Sequence, residues 1–165
     1  ESNGRLYFAD SLLIPKLSNR KTKVKPVSEK DLNEILEVEK TLGNEAEEKA
    51  LVFECHRLKS HNIIKEPMRI SVLDSTAGFD IASYNDSSDV KPTRFIEVKS
   101  VDNSNKFFIS ENEISKSKLY GNQYFLYLYN REKKSFVIIQ NPYQNVFNNE
   151  KWKLQSKLFE CKKVA

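Results

Sequence analysis

Asp80 in GFDIASY, and Glu97 and Lys99 in RFIEVKS, are the residues whose types and spacing suggest chemistry. Residues two apart on a strand share a face, so Glu97 and Lys99 project together. Aspartate is a poor strand former, and one flanked by apolar neighbours needs a reason. If the two segments are antiparallel neighbours across the loop NDSSDVKP, then Asp80, Glu97 and Lys99 converge. Two carboxylates can hold a hard divalent cation such as Mg²⁺. Such a cation polarises a phosphoryl oxygen and lowers the pKa of bound water. A lysine beside them can orient that water or stabilise charge on the phosphate. The backbone carbonyl of Val98 is a further candidate oxygen ligand. Together these are the parts of a metal-dependent phosphodiesterase site. The competing reading is plain: an E-x-K on an exposed strand face is a same-face ion pair worth about a few tenths of a kcal/mol.

Other routes to chemistry are thin. Cys55 and Cys161 form no CxxC pair, and two thiols make no disulfide framework. His56 and His61 are five apart, which misses the helical i, i+4 pairing of HExxH sites. They read as helix-surface residues, and structural zinc is not expected. A reducing, intracellular setting is the default for such cysteine usage, and a cytoplasmic location is expected. No apolar run approaches the roughly 20 residues that cross a bilayer. The net charge of +4 is compatible with a nucleic-acid partner. The basic run NRKTKVKP reads as a solvated linker.

The 165 residues suit one domain with a real core. The chain opens with Glu1 rather than Met, as a fragment of a larger protein would. Residues 1–27, broken by Pro15 and ending in the basic run, read as a peripheral segment or the tail of a preceding module. The domain proper is expected over 28–165. Ser28 is a candidate N-cap. Two apolar stretches at helical spacing follow, Leu32 to Val38 and Ala46 to Leu58, with Gly43 between them, so two helices or one interrupted helix are expected. MRISVLD, GFDIASY, TRFIEVKSV and KFFIS read as strands. SENEISKSKLYG reads as a short helix capped by Ser110, boxed by Glu113 and ended by Gly121. QYFLYLYN and SFVIIQ are two further strands joined by REKK. The residues from NPYQ onward read as peripheral. This order predicts an α/β or α+β fold with one central mixed sheet flanked by helices.

The ordered motifs from Gly78 to Asn130 resemble the domain named after the C-terminus of the plant protein NO VEIN. That domain also occurs in many bacterial proteins, often beside ATPase, helicase or restriction-type modules. Its pattern is a G-[YF]-D-I strand (Gly78–Ile81), an I-E-V-K strand (Ile96–Lys99), a segment closing in S-x-N-E at Glu113, and a Y-x-L-Y strand (Tyr124–Tyr127). The resemblance covers roughly residues 43–130. The family is similar to the PD-(D/E)xK nuclease superfamily, which implies a restriction-endonuclease-like core. It implies that Asp80 and Glu97 bind Mg²⁺ or Mn²⁺ and that Lys99 is the catalytic lysine. It also implies an acid on the preceding helix, within G-x-x-G-E. GNEAE matches from Gly43, with Ala46 for the second glycine and Glu47 as the acid, and with Glu45 and Glu48 close by. Glu54 matches a further family acid, near the site or in a structural contact. Glu113 matches a family position, yet a capping box explains it without function, and the structural role is favoured. Tyr124, Tyr127 and Tyr129 read as packing residues, Tyr124 out of phase with the other two. The expected function is a metal-dependent nuclease domain that hydrolyses DNA, the cleavage module of a larger restriction or defence-type protein that carries an ATPase or helicase. Dimerisation stays open. The alternative is a catalytically inactive nuclease-fold module that binds nucleic acid or a partner protein.

Overall fold

Helix α1 runs without a break from Glu29 to Ser60. The computed structural model describes residues 29–104 and 106–155; Ser28, the segment 1–27 and the boundary expected after it lie outside the described residues. Gly43 does not interrupt α1. A glycine there costs roughly 1 kcal/mol against alanine, and the next turns are anchored by Ala46 and Ala50, both fully buried. In the apolar stretch before it, Leu36 and Val38 are exposed. The chain divides into two compact units, Glu1–Glu34 and Ile35–Ala165. The sheet and every candidate functional residue belong to the second. No helix among the described residues is long and apolar enough to cross a membrane.

Five strands follow in sheet order: β1 (Met68–Arg69), β2 (Ile81–Ser83), β3 (Arg94–Val101), β4 (Tyr124–Asn130) and β5 (Ser135–Gln140). All neighbours are antiparallel except β3 and β4, which run parallel. A parallel pair needs a crossover, and helix α2 (Glu111–Tyr120) supplies it. Ser110 caps α2 and Glu113 completes the capping box, as the sequence predicts. The result is an α+β fold: one mixed five-stranded sheet with flanking helices.

The two faces of β3 receive different elements. Ile96 and Val98 face α1 and join Ala46, Ala50, Ile81, Phe125, Tyr127 and Tyr129 in one core. Phe95, Glu97, Lys99 and Val101 face the other way. There Phe95 stacks with Phe79 and Tyr120, and Val101 joins Leu126, Leu128 and Val146 in a second core.

Four expectations need correction. MRISVLD pairs only through Met68 and Arg69, because Leu73 and Asp74 then donate to the Ile70 carbonyl and close a turn. KFFIS is not a strand: β3 is already flanked by β2 and β4, and Phe107 turns into the second core instead. Alternation along GFDIASY would put Phe79 on the core face with Ile81; instead Phe79 packs on Phe95 and Tyr120, while Ile81 joins the core against α1. The residues after NPYQ are not peripheral as far as they are described. A π-helical turn, Tyr143–Phe147, buries Val146, and Phe147 and Trp152 pack on the second core.

Candidate active site

Continuing the antiparallel register of Ile81 with Ile96 by one step sets Asp80 opposite Glu97. The Asp80 N–H donates to the Ile96 carbonyl at 2.8 Å, and the Asp80 carbonyl accepts from Ile70 at 2.6 Å and Ser71 at 3.2 Å. Its carboxylate Oδ2 accepts the Val98 N–H at 2.8 Å. A side chain therefore takes a ladder position that a backbone carbonyl would otherwise fill, which accounts for an aspartate at the head of a strand. The Val98 backbone enters the site through its N–H.

Lys99 sits between two acids. Its Nζ lies 2.6 Å from Glu97 Oε1 and 3.2 Å from Glu113 Oε1. Glu113 serves two purposes with its two oxygens. Oε2 accepts the Ser110 N–H at 2.7 Å and closes the capping box, while Oε1 holds Lys99. The cap explains half of this side chain; the other half belongs to the cluster. The start of α2 is thereby tied to the middle of β3.

Three carboxylates, Asp80, Glu97 and Glu113, thus face one ammonium. Burial first, then the Glu47 and Glu113 charges, push the Asp80 carboxyl up to about 7, against the pull of the Val98 N–H and Lys99. Burial also raises Glu97 well above the usual carboxylate range; Lys99 opposes this, while Asp80 and Glu113 add to it. Glu113 goes the other way: burial acts to raise it, but Lys99 and the Ser110 N–H outweigh burial and hold it low. Burial works to lower Lys99, yet Glu97 and Glu113 keep it above the ordinary lysine range and so charged. Tyr124 lies on the same face, its hydroxyl donating to the Gly78 carbonyl at 2.7 Å.

The donor set suits a hard divalent cation only in part. Among the described residues no three His, Cys, Asp or Glu side chains stand together as a metal cage. Magnesium, however, is commonly held by one or two carboxylates, with water and substrate phosphate completing the shell. Asp80, half-buried, and Glu97, buried, are two such carboxylates on neighbouring chain segments, short of positive charge.

Glu47 stands beside this group. It accepts from Arg69 Nε at 2.8 Å and Ser71 Oγ at 2.5 Å, and its charge is among those that raise Asp80. Glu45 and Glu48 are exposed, so the helix places Glu47, and neither neighbour, toward the site. Arg69 and Ser71 escaped the sequence reading because MRISVLD looked like a plain alternating strand.

Glu54 is elsewhere. It is fully buried on the α1 face, where it takes Arg57 Nη2 at 2.8 Å and the Tyr127 hydroxyl at 2.5 Å, with Arg94 Nε at 3.6 Å. Arg94 also donates to the Tyr127 hydroxyl at 2.7 Å. Of the two readings of Glu54, the structural contact is the one observed. Its partners Arg57 and Arg94 were not singled out in the sequence. An arginine opening a strand was the available signal. Tyr124, Tyr127 and Tyr129 are all buried packing residues, Tyr124 on the opposite face from the other two. His56 and His61 are exposed, as expected.

No curated protein and no solved structure matches this chain. The sequence profile of the family described as Protein NO VEIN, C-terminal, does match, over residues 46–139. That span takes in Glu47, Asp80, Glu97, Lys99 and Glu113 and more than half of the chain, and the chain belongs to the NO VEIN C-terminal family.

Proposed function

We propose that this domain is a metal-dependent nuclease that hydrolyses DNA phosphodiester bonds in a PD-(D/E)xK manner. The observation that carries the reading is the pairing of Asp80, half-buried at the head of β2, with Glu97, buried on β3, and with Lys99 beside them. Asp80 and Glu97 hold Mg²⁺ or Mn²⁺, with the Val98 carbonyl as a further oxygen donor. When bound, the cation supplies Lewis acidity toward a phosphoryl oxygen and acidifies water. Lys99, fixed in its charged form by Glu97 and Glu113, stabilises the negative charge that develops on the phosphate. Glu47, steadied by Arg69 and Ser71, supports the metal or orients the attacking water. The domain serves as the cleavage module of a larger restriction or defence-type protein, cytoplasmic, alongside an ATPase or helicase.

The test is cleavage of supercoiled plasmid with Mg²⁺ or Mn²⁺, comparing wild type with Lys99→Ala and Asp80→Ala. Nicking or linearisation by the wild type that is lost in both variants supports the reading. A folded wild type that neither cuts nor gains thermal stability from either ion sinks it. The second reading, a nuclease-fold module that binds without cutting, draws on the two ion pairs that hold Lys99. It is favoured if the protein binds nucleic acid at low salt, where phosphate contacts are strongest, and cuts nothing.

A further inference from the structure

The face of the sheet that carries Glu97 and Lys99 continues into a groove. Val101, two residues beyond Lys99 on β3, packs in the second core, and Phe107, Phe147 and Trp152 pack against that core. Above it opens a cavity of about 120 Å³ whose lining includes Phe107, Phe147, Trp152 and Leu154, with Lys106 and Lys153. The lining segment that begins at Lys106 joins β3, which bears Lys99, to α2, which bears Glu113. The groove and the carboxylate cluster thus belong to the same face of β3, joined by Val101 and by the segment that leads from β3 into α2.

We propose that this groove seats an unpaired base of single-stranded DNA, with the lysines around it contacting the flanking phosphates. The inference rests on the nuclease reading for its choice of ligand, and it names the form of substrate that reading leaves open. Its volume lies well below the roughly 300–1,000 Å³ of a drug-sized pocket and suits one planar ring. Phe107 and Trp152 meet edge to face with centroids 6.0 Å apart, and both are only partly buried. Phe108 beside them is 63% exposed, with the Lys106 ammonium 5.9 Å from its ring centre. The two segments concerned, 106–109 and 146–154, carry Lys106, Lys151 and Lys153 against the single acid Glu150. All three lysines are exposed. Aromatic side chains interleaved with lysines are the chemistry of single-strand binding: bases stack on the rings while ammonium groups track the backbone. Bases in a duplex are already stacked on each other and offer no free face.

Trp152 is the chain's sole tryptophan, so its emission reports on the groove directly. The experiment titrates the full chain, in EDTA so that nothing is cut, with a thymidine oligonucleotide of about twelve nucleotides, within the usual site size for such proteins. A hairpin duplex of equal length is the comparison. The expected result is saturable quenching by the single strand and little by the duplex. Affinity, read by anisotropy of a labelled oligonucleotide, falls about tenfold in Trp152→Leu, the scale of losing one stacked base. Lys106→Ala, on the exposed rim, gives a smaller loss without touching the core. Emission unmoved by the single strand, or moved equally by the duplex, overturns the proposal, as does wild-type affinity in both groove variants. Quenching in a protein that neither cuts plasmid nor gains thermal stability from Mg²⁺ or Mn²⁺ keeps the groove and sinks the nuclease reading. Plasmid cleavage with silent Trp152 emission does the reverse.

Discussion

Glu54 and Glu97 are almost equally inaccessible, 0% and 2% exposed, on opposite faces of one sheet. Their surroundings differ in charge balance. Glu54 meets Arg57, Arg94 and the Tyr127 hydroxyl, and these partners overcome burial and hold its carboxyl below the usual range. Glu97 shares a single lysine with Asp80 and Glu113, and burial raises it. A buried acid matched by guanidinium groups is a fastening. Buried acids in excess of positive charge repel one another and hold their protons more tightly. Burial alone does not separate the two environments; the local count of positive partners does.

The largest effect that sharpens this contrast is on catalysis. Asp80→Asn should lower plasmid cleavage by at least about a hundredfold, the scale of removing a principal electrostatic group. At pH 8 without divalent ions the same variant should melt no earlier than the wild type, because a charge that burial disfavours is gone. Added Mg²⁺ should raise the melting temperature of the wild type and leave that of Asp80→Asn unmoved. A large loss of stability in this variant would break the comparison.

Glu54→Ala should behave in the opposite way, losing about 3–5 kcal/mol in denaturant unfolding, since it leaves two arginines unpaired in the interior. What remains folded should retain the specific activity of the wild type. The acid limb of stability sharpens the point. Glu54 has its pKa lowered in the folded state, so its contribution is fully present above about 4.5 and is lost as pH falls through the depressed folded value. Glu54→Gln should flatten the loss of stability below about pH 4.5, and an unchanged acid limb would refute the assignment.

Gly78→Ala tests the approach of α2 to the site. Gly78 has φ +75°, and an added Cβ would lie 2.6 Å from Lys116 Cγ and 2.9 Å from Asn112 Nδ2. The expected cost is about 1–3 kcal/mol from strain and crowding. Ser110→Ala should cost least, about 1 kcal/mol for a lost N-cap. It should also release the start of α2, which Glu113 links to Lys99, and so reduce cleavage more than its stability loss alone accounts for.

Much of the site was legible because it lies on two short motifs. Alternation placed Glu97 and Lys99 on one face, and the anomalous strand aspartate drew Asp80 to them. The capping signature gave Ser110 and Glu113 by name, but not the second use of Glu113, since a cap and an ion pair write the same letter. Gly43 was over-read as a break, because local propensity is weaker than the tertiary anchoring of Ala46 and Ala50. KFFIS failed as a strand because a strand needs a free neighbour, which only the assembled sheet reveals. Glu54 could not be resolved in sequence because, although Arg57 lies one helical turn on, its other partners Arg94 and Tyr127 come from distant strands that only the fold brings to it.

Strand β3 is covered on both faces, so its apolar residues barely distinguish one alignment from the next. A slip of one position would turn Glu97 and Lys99 toward Ala46 and Ala50 and carry Arg94 away from Glu54. The two ionic clusters on either side therefore act as register pins. Each locates a different end of the strand, Arg94 at its beginning and Lys99 near its close. Charges on both faces tell the central strand where to stop sliding.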